Sequence, residues 1–123
     1  MQVPRSLSAV LLALRIAMPA HADEVTDGKQ VFQTYCSICH TFQPGRNLTG
    51  PSLFGVVNRH AGSAPGFLYT LANRQSGLTW DVATLDRYLT APRELVPGTA
   101  MTFPGLKDPG KRAAVISFLK TLK

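Results

Sequence analysis

Between residues 26 and 36 the apolar positions Val31, Phe32 and Tyr35 recur at helical spacing, with Gly28 one turn before Phe32. Residues three and four apart share one face of an α-helix, so the pattern predicts an amphipathic first helix. From 41 to 66 no period survives. Pro44, Gly45, Gly50, Pro51, Gly55, Gly62, Pro65 and Gly66 interrupt helix and strand patterns alike and predict a long loop region. A helical pattern returns over 81–90, where Val82, Leu85 and Leu89, with Tyr88 alongside, form an apolar face, Thr79 is the candidate N-cap and Pro92 stops the run. Asp108 followed by Pro109 is a cap and first-position pair for a last helix, lined on one face by Val115, Phe118, Leu119 and Leu122. Gly28 would let the first and last helices cross closely near Phe118. The expected class is all-α, with helices and long loops. So much irregular backbone in a small domain calls for a core that its own elements do not supply, and a bound cofactor would provide one.

The first residues follow another pattern. Arg5 supplies a positive start, residues 7–18 are mostly apolar, and Ala20-His21-Ala22 has the small-x-small form of a cleavage site. This predicts a leader over 1–22, cleaved after Ala22, and a domain over 23–123 exported to a bacterial periplasm. Arg15 interrupts the apolar stretch, whereas a spanning helix needs about 20 apolar residues, so no stable membrane insertion is expected.

A chain of 123 residues, 45% hydrophobic and 16% charged, suits one globular domain without disorder. Its net charge is +6; removal of 1–22 takes away Arg5 and Arg15 and leaves 11 basic against 7 acidic residues, or +4. The excess is neither clustered nor interleaved with aromatics, which argues against nucleic acid as a partner. It suits a weakly steered encounter with acidic protein surfaces.

Composition is overtaken by one motif, Cys36-Ser37-Ile38-Cys39-His40. Two thiols three residues apart can add to the two vinyl groups of one haem while the adjacent imidazole reaches the iron from the same side. This spacing reads as covalent attachment of a single haem c. A thiol-redox Cys-x-x-Cys usually opens a helix after a strand, and no strand pattern precedes Cys36. For a second iron ligand, elimination leaves few candidates. Once Met1 and Met18 depart with the leader, Met101 is the only methionine, and it sits in the irregular run Pro97-Gly98-Thr99-Ala100-Met101, about where a strap over the other haem face would lie. His60 is the competitor, in a polar stretch that suggests an exposed turn. The His/Met pairing common in cytochromes favours His40 with Met101.

At these residues, and over essentially all of 23–123, the sequence resembles the small class I cytochromes c of mitochondrial and purple-bacterial type. The likeness runs through Thr49-Gly50-Pro51, Asn58-Arg59, Gly66-Phe67, Tyr69-Thr70, Ala72-Asn73, Leu78-Thr79-Trp80, Tyr88-Leu89 and Pro97-Gly98-Thr99. It implies the cytochrome c fold, with the terminal helices crossing beside one covalent haem. It also implies roles. The Pro51 carbonyl would accept a hydrogen bond from His40; Arg59, Tyr69 and Trp80 would meet the haem propionates; Asn73, Tyr88 and Thr99 would surround the Met101 sulfur; Phe103 would cover the haem edge. The implied function is single-electron carriage by a monomer that docks transiently, at its haem edge, to a bc-type complex, oxidase, reductase or reaction centre. No enzymatic activity is expected, since no distal base or arginine stands beside Met101 in the sequence.

The departures concern the haem edge. The mitochondrial protein has a ring of lysines there, whereas Tyr35 precedes Cys36 here, Glu94 follows Arg93 and Ala100 precedes Met101; Arg93 and Lys107 remain. Docking that depends less on charge is the expectation.

Overall fold

The computed structural model describes residues 1–3, 10–17 and 20–123. Arg5, Leu7 and Met18 of the predicted leader lie outside the described residues. Among the described residues the regular elements are all helices: α1 (Ala20–Tyr35), α2 (Leu71–Gln75), α3 (Val82–Thr90), α4 (Pro92–Leu95) and α5 (Pro109–Lys120). None of these is long and apolar enough to cross a membrane.

Helix α1 begins at Ala20, upstream of the expected start at Thr26, because residues 20–25 contain no breaker and Asp23 complements the positive end of the helix dipole. Its Gly28, Val31 and Phe32 are buried against α5, which contributes Ala114, Val115, Ile116, Phe118 and Leu119. The crossing depends on Gly28: a Cβ there would collide with the Ala114 carbonyl and lie 2.9 Å from the Phe118 Cβ. Tyr35, expected on the buried face, is instead exposed at the helix end, where Lys111 lies over its ring. Phe32, Phe42 and Phe118 form a triangle of edge-on rings with centroids 5.5–5.7 Å apart, fastening the first loop to the helix pair.

Helix α3 is capped by Asp81, whose carboxylate accepts from the Thr84 N–H at 2.8 Å, and not by Thr79 as expected. Thr79 instead forms a bridge to His60. Val82 faces outward at 45% exposure, so the buried face begins one turn later, at Leu85, Tyr88 and Leu89. Pro92 follows the end of α3 and opens the short helix α4, since a missing N–H costs nothing in a first turn. Asp108 caps α5 through the Gly110 and Lys111 N–H groups, with Pro109 first in the helix, as the sequence predicts.

Residues 41–66 are turns and extended backbone. They are tied inward by backbone bonds from Asn58 to Trp80, from Trp80 to Arg59 and from Gly55 to Leu122, each 2.8 Å. The apolar core of Val31, Phe32, Val56, Leu85, Leu89, Leu106, Val115, Ile116, Phe118 and Leu119 is shared between helices and loops. Beside it the chain leaves a cavity.

Candidate functional site

The cavity has a volume of about 430 Å³ and a mostly apolar wall, within the range that small-molecule and cofactor sites occupy. Of the residues singled out in the sequence, Cys36, Cys39, His40, Pro51, Arg59, Tyr69, Asn73, Trp80, Tyr88, Met101 and Phe103 all line it. Thr99 stands behind them, its hydroxyl 2.8 Å from the Tyr88 hydroxyl. His60 is not among the lining residues; its Nδ1 lies 3.2 Å from the Thr79 hydroxyl, on an exposed turn.

The attachment motif continues directly from α1. The Cys36 and Ser37 N–H groups donate to the Phe32 carbonyl and those of Cys39 and His40 to the Cys36 carbonyl, so the motif is one further turn on a rigid element. The thiols are free and partly buried. Burial, with the neighbouring Cys39 adding to it, pushes the Cys36 thiol up to about 11. A reactive redox dithiol needs a thiolate near neutral pH, and burial works against one at Cys36.

The His40 ring stands 2.7 Å, at Nδ1, from the Pro51 carbonyl oxygen. A carbonyl can only accept, so Nδ1 carries the proton and donates, and Nε2 keeps its lone pair. Burial holds the imidazole below its ordinary pKa against the opposing effect of this bond, which keeps the ring neutral and available to a metal. Gly50 makes room for the ring: a Cβ at that position would lie 2.7 Å from Nδ1 and 2.9 Å from Nε2.

Met101 is carried by the irregular segment after α4. Its N–H donates to the Thr99 hydroxyl oxygen at 3.3 Å, and Thr99 in turn is bonded to Tyr88 on α3. Burial raises the Tyr88 pKa, partly offset by the Thr99 bond, so the phenol stays protonated. The strap is thereby fixed to a helix just before the thioether.

On the loop side, Arg59 donates from Nη1 to the Phe54 carbonyl at 2.9 Å and from Nη2 to the Ser52 carbonyl at 3.3 Å. Its Nε is buried without a partner among the described residues. An unpaired cationic donor at a cavity wall fits an anionic group inside. Tyr69 accepts from the Ala64 N–H at 3.0 Å, which leaves its own proton to be donated elsewhere. An apolar slot with two thiols, a neutral imidazole, a thioether and an unpaired guanidinium nitrogen is a donor set that fits haem: thiols for its vinyl groups, nitrogen and sulfur for iron, and a cation for its propionates.

Sequence reasoning missed Asn47 and Ser52, which hold the Pro51 segment. Ser52 donates from its N–H to Asn47 Oδ1 at 2.9 Å and from its hydroxyl to the Gln43 carbonyl at 2.5 Å. Polar residues in a loop rich in Gly and Pro carry no local signal for this. It also missed Arg112, whose Nε pairs with Asp86 at 2.8 Å and whose Nη1 donates to the Leu106 and Lys107 carbonyls at 2.9 and 3.0 Å.

Comparison with known proteins gives a consistent picture. The family model for cytochrome c matches residues 25–123. A cytochrome c2 of Rhodopila globiformis is 50% identical over 97 residues, covering 79% of this chain and 92% of its own length. One from Rhodoblastus acidophilus is 52% identical over 97 residues, covering 78% and 90%. The solved structure of cytochrome cH from Methylobacterium extorquens superposes with a TM-score of 0.75 at 44% identity, covering 79% of this chain and 97% of that one.

Proposed function

The chain belongs to the cytochrome c family, and on that premise we propose that it is a single-electron carrier whose iron is held by His40 and Met101. A cytochrome c binds haem c covalently, and Cys36 and Cys39 are the two thiols for it here. When bound, the haem supplies an iron that passes between ferrous and ferric states.

The protein's own residues set the terms of that exchange. Cys36 and Cys39 keep the cofactor from dissociating. His40 offers Nε2 and is kept from turning by its bond to Pro51. Met101 offers a soft thioether, which favours the ferrous state and raises the potential. Tyr88 and Thr99 brace the strap that carries Met101, and the bond to Pro51 braces His40, so both side chains would be kept in place toward a bound iron. Arg59, with its unpaired Nε at the inner wall, would offset the negative charge of the haem propionates. The observation that carries this reading is the meeting of Cys36, Cys39, His40 and Met101 around one apolar cavity, from which His60 is excluded.

An exported carrier in a bacterial periplasm follows from the leader pattern over 1–22, and covalent attachment suits an open compartment. Its partners are redox proteins that meet a monomer transiently at the haem edge: a bc-type complex, an oxidase, a reductase or a reaction centre. Replacement of Met101 by Ala tests the ligation. The far-red sulfur-to-iron band is expected to disappear and the potential to fall, measured by optical spectroscopy and redox titration. An unchanged spectrum would refute it.

A further inference from the structure

The Pro51 carbonyl that receives the His40 proton and the Ser52 N–H that donates to Asn47 belong to one peptide group. Two hydrogen bonds therefore lie in series across one peptide plane: His40 Nδ1–H to Pro51 oxygen at 2.7 Å, and Ser52 N–H to Asn47 Oδ1 at 2.9 Å. The Asn47 amide is not free to turn over, because its Nδ2 donates to the Pro65 carbonyl at 3.1 Å, eighteen residues away. This assigns Oδ1 to the Ser52 side on chemical grounds, since Pro65 can only accept. Asn47 itself is partly buried, and Ser52 is buried.

We propose that Asn47 is a positioning residue for the haem iron, acting on His40 through the Pro51–Ser52 peptide. An amide whose N–H is engaged by an acceptor has a more negative carbonyl oxygen, because donation at one end of the peptide polarises the other. A more negative Pro51 oxygen draws the Nδ1 proton of His40 more strongly and makes Nε2 a better electron donor. Stronger donation stabilises the ferric state, so Asn47 holds the potential down and opposes the thioether of Met101. Asn47 also fixes the plane of that peptide, and with it the ring orientation that Gly50 leaves room for.

The inference rests on His40 being an iron ligand, and its test is separable from the test of that reading. In the haem-loaded protein, Asn47→Ala and Asn47→Asp both remove the bond to Pro65, but only Asn47→Ala removes the acceptor for Ser52. The readouts are the reduction potential, the proton NMR shift of His40 Nδ1–H in the reduced state and its exchange rate with solvent. Asn47→Ala is expected to raise the potential, move the Nδ1–H resonance upfield and speed its exchange, with the sulfur-to-iron band retained. Asn47→Asp is expected to keep the resonance at or downfield of its original position. If Asn47 merely anchors the loop, both variants lose thermal stability alike while the potential of Asn47→Ala and both Nδ1–H resonances stay unmoved, and the proposal is overturned. If the unaltered protein shows no iron-shifted His40 signals when oxidised, the ligation reading itself has failed, and this proposal falls with it.

Discussion

At the scale of single residues, the site is governed by what stands immediately behind the functional groups. Gly50 is the sharpest case. A methyl group at that position would meet the face of the His40 imidazole, and the collision is with a ring held in place by its own hydrogen bond. The backbone of Gly50 is one that alanine can adopt, so the cost is steric. Gly50→Ala is expected to destabilise the haem-loaded protein by about 1–3 kcal/mol, the usual range for overpacking, and, with His40 as the proposed iron ligand, to shift the His40 signals in its NMR spectrum. A denaturation curve with no change in midpoint would contradict this. Of the site residues, those with distinctive chemistry could be read from the sequence: the two thiols, the imidazole beside them and the single methionine of residues 23–123. Gly50, Asn47 and Ser52 could not be assigned tasks by residue reasoning alone, because glycine, asparagine and serine are ordinary loop residues and their tasks arise only from what the fold sets against them.

At the scale of elements, the helices were legible where local chemistry marks them and misplaced where it does not. Asp108 and Pro109 start α5 as expected because cap and first-position preferences are local. The start of α3 shifts from Thr79 to Asp81 because Thr79 is drawn into a bridge with His60, a contact across nineteen residues that no cap rule foresees. Long-range ties also decide how the strap carrying Met101 is fastened at its far end. Arg112 on α5 joins Asp86 on α3 and takes up the carbonyls of Leu106 and Lys107. The arginine is largely covered while the aspartate is half-exposed, so the ion pair itself is partly screened and the bonds to the carbonyls matter more. Arg112→Ala is expected to cost about 1–3 kcal/mol from the lost charge-assisted bonds. With the proposed Met101 ligation, it should also lower the pH at which the sulfur-to-iron band is lost on alkaline titration, since a looser strap would yield Met101 more readily. A pH titration of that band checks it, and an unmoved midpoint would show that the strap is held without Arg112.

At the scale of the whole molecule, the mouth of the cavity bears on partners. Ile38 is 84% exposed there, and Ala100, Thr102 and Pro104 line the opening uncharged. Two nearby lysines are already engaged: Lys107 donates to the Thr90 carbonyl at 2.6 Å and Lys111 to the Tyr35 hydroxyl at 3.1 Å. Steering by charge acts at a distance and is screened by salt, whereas apolar contact is not. The second-order rate of electron transfer to an acidic redox partner is therefore expected to fall only weakly with ionic strength. Stopped-flow measurements across a salt series test this, and a steep decline would mean that charges elsewhere on the surface guide the encounter.

The sequence by itself determined the covalent chemistry and the helical class. Cys36, Cys39 and His40 fall within one turn, and caps and apolar periods act over a few residues, so neighbours in the chain suffice to specify them. It also pointed to Met101 ahead of His60, by elimination. Only the tertiary structure decided which groups surround those residues. Val82 and Tyr35 face outward although their spacing suits a buried face, because burial depends on what packs opposite. Arg59 keeps a buried nitrogen without a partner because loop carbonyls engage only the end of its guanidinium. Asn47 reaches His40 through a peptide that closes a loop between them. Each of these depends on contacts whose partners are set by chain closure and packing, and such partners leave no mark in the local order of residues.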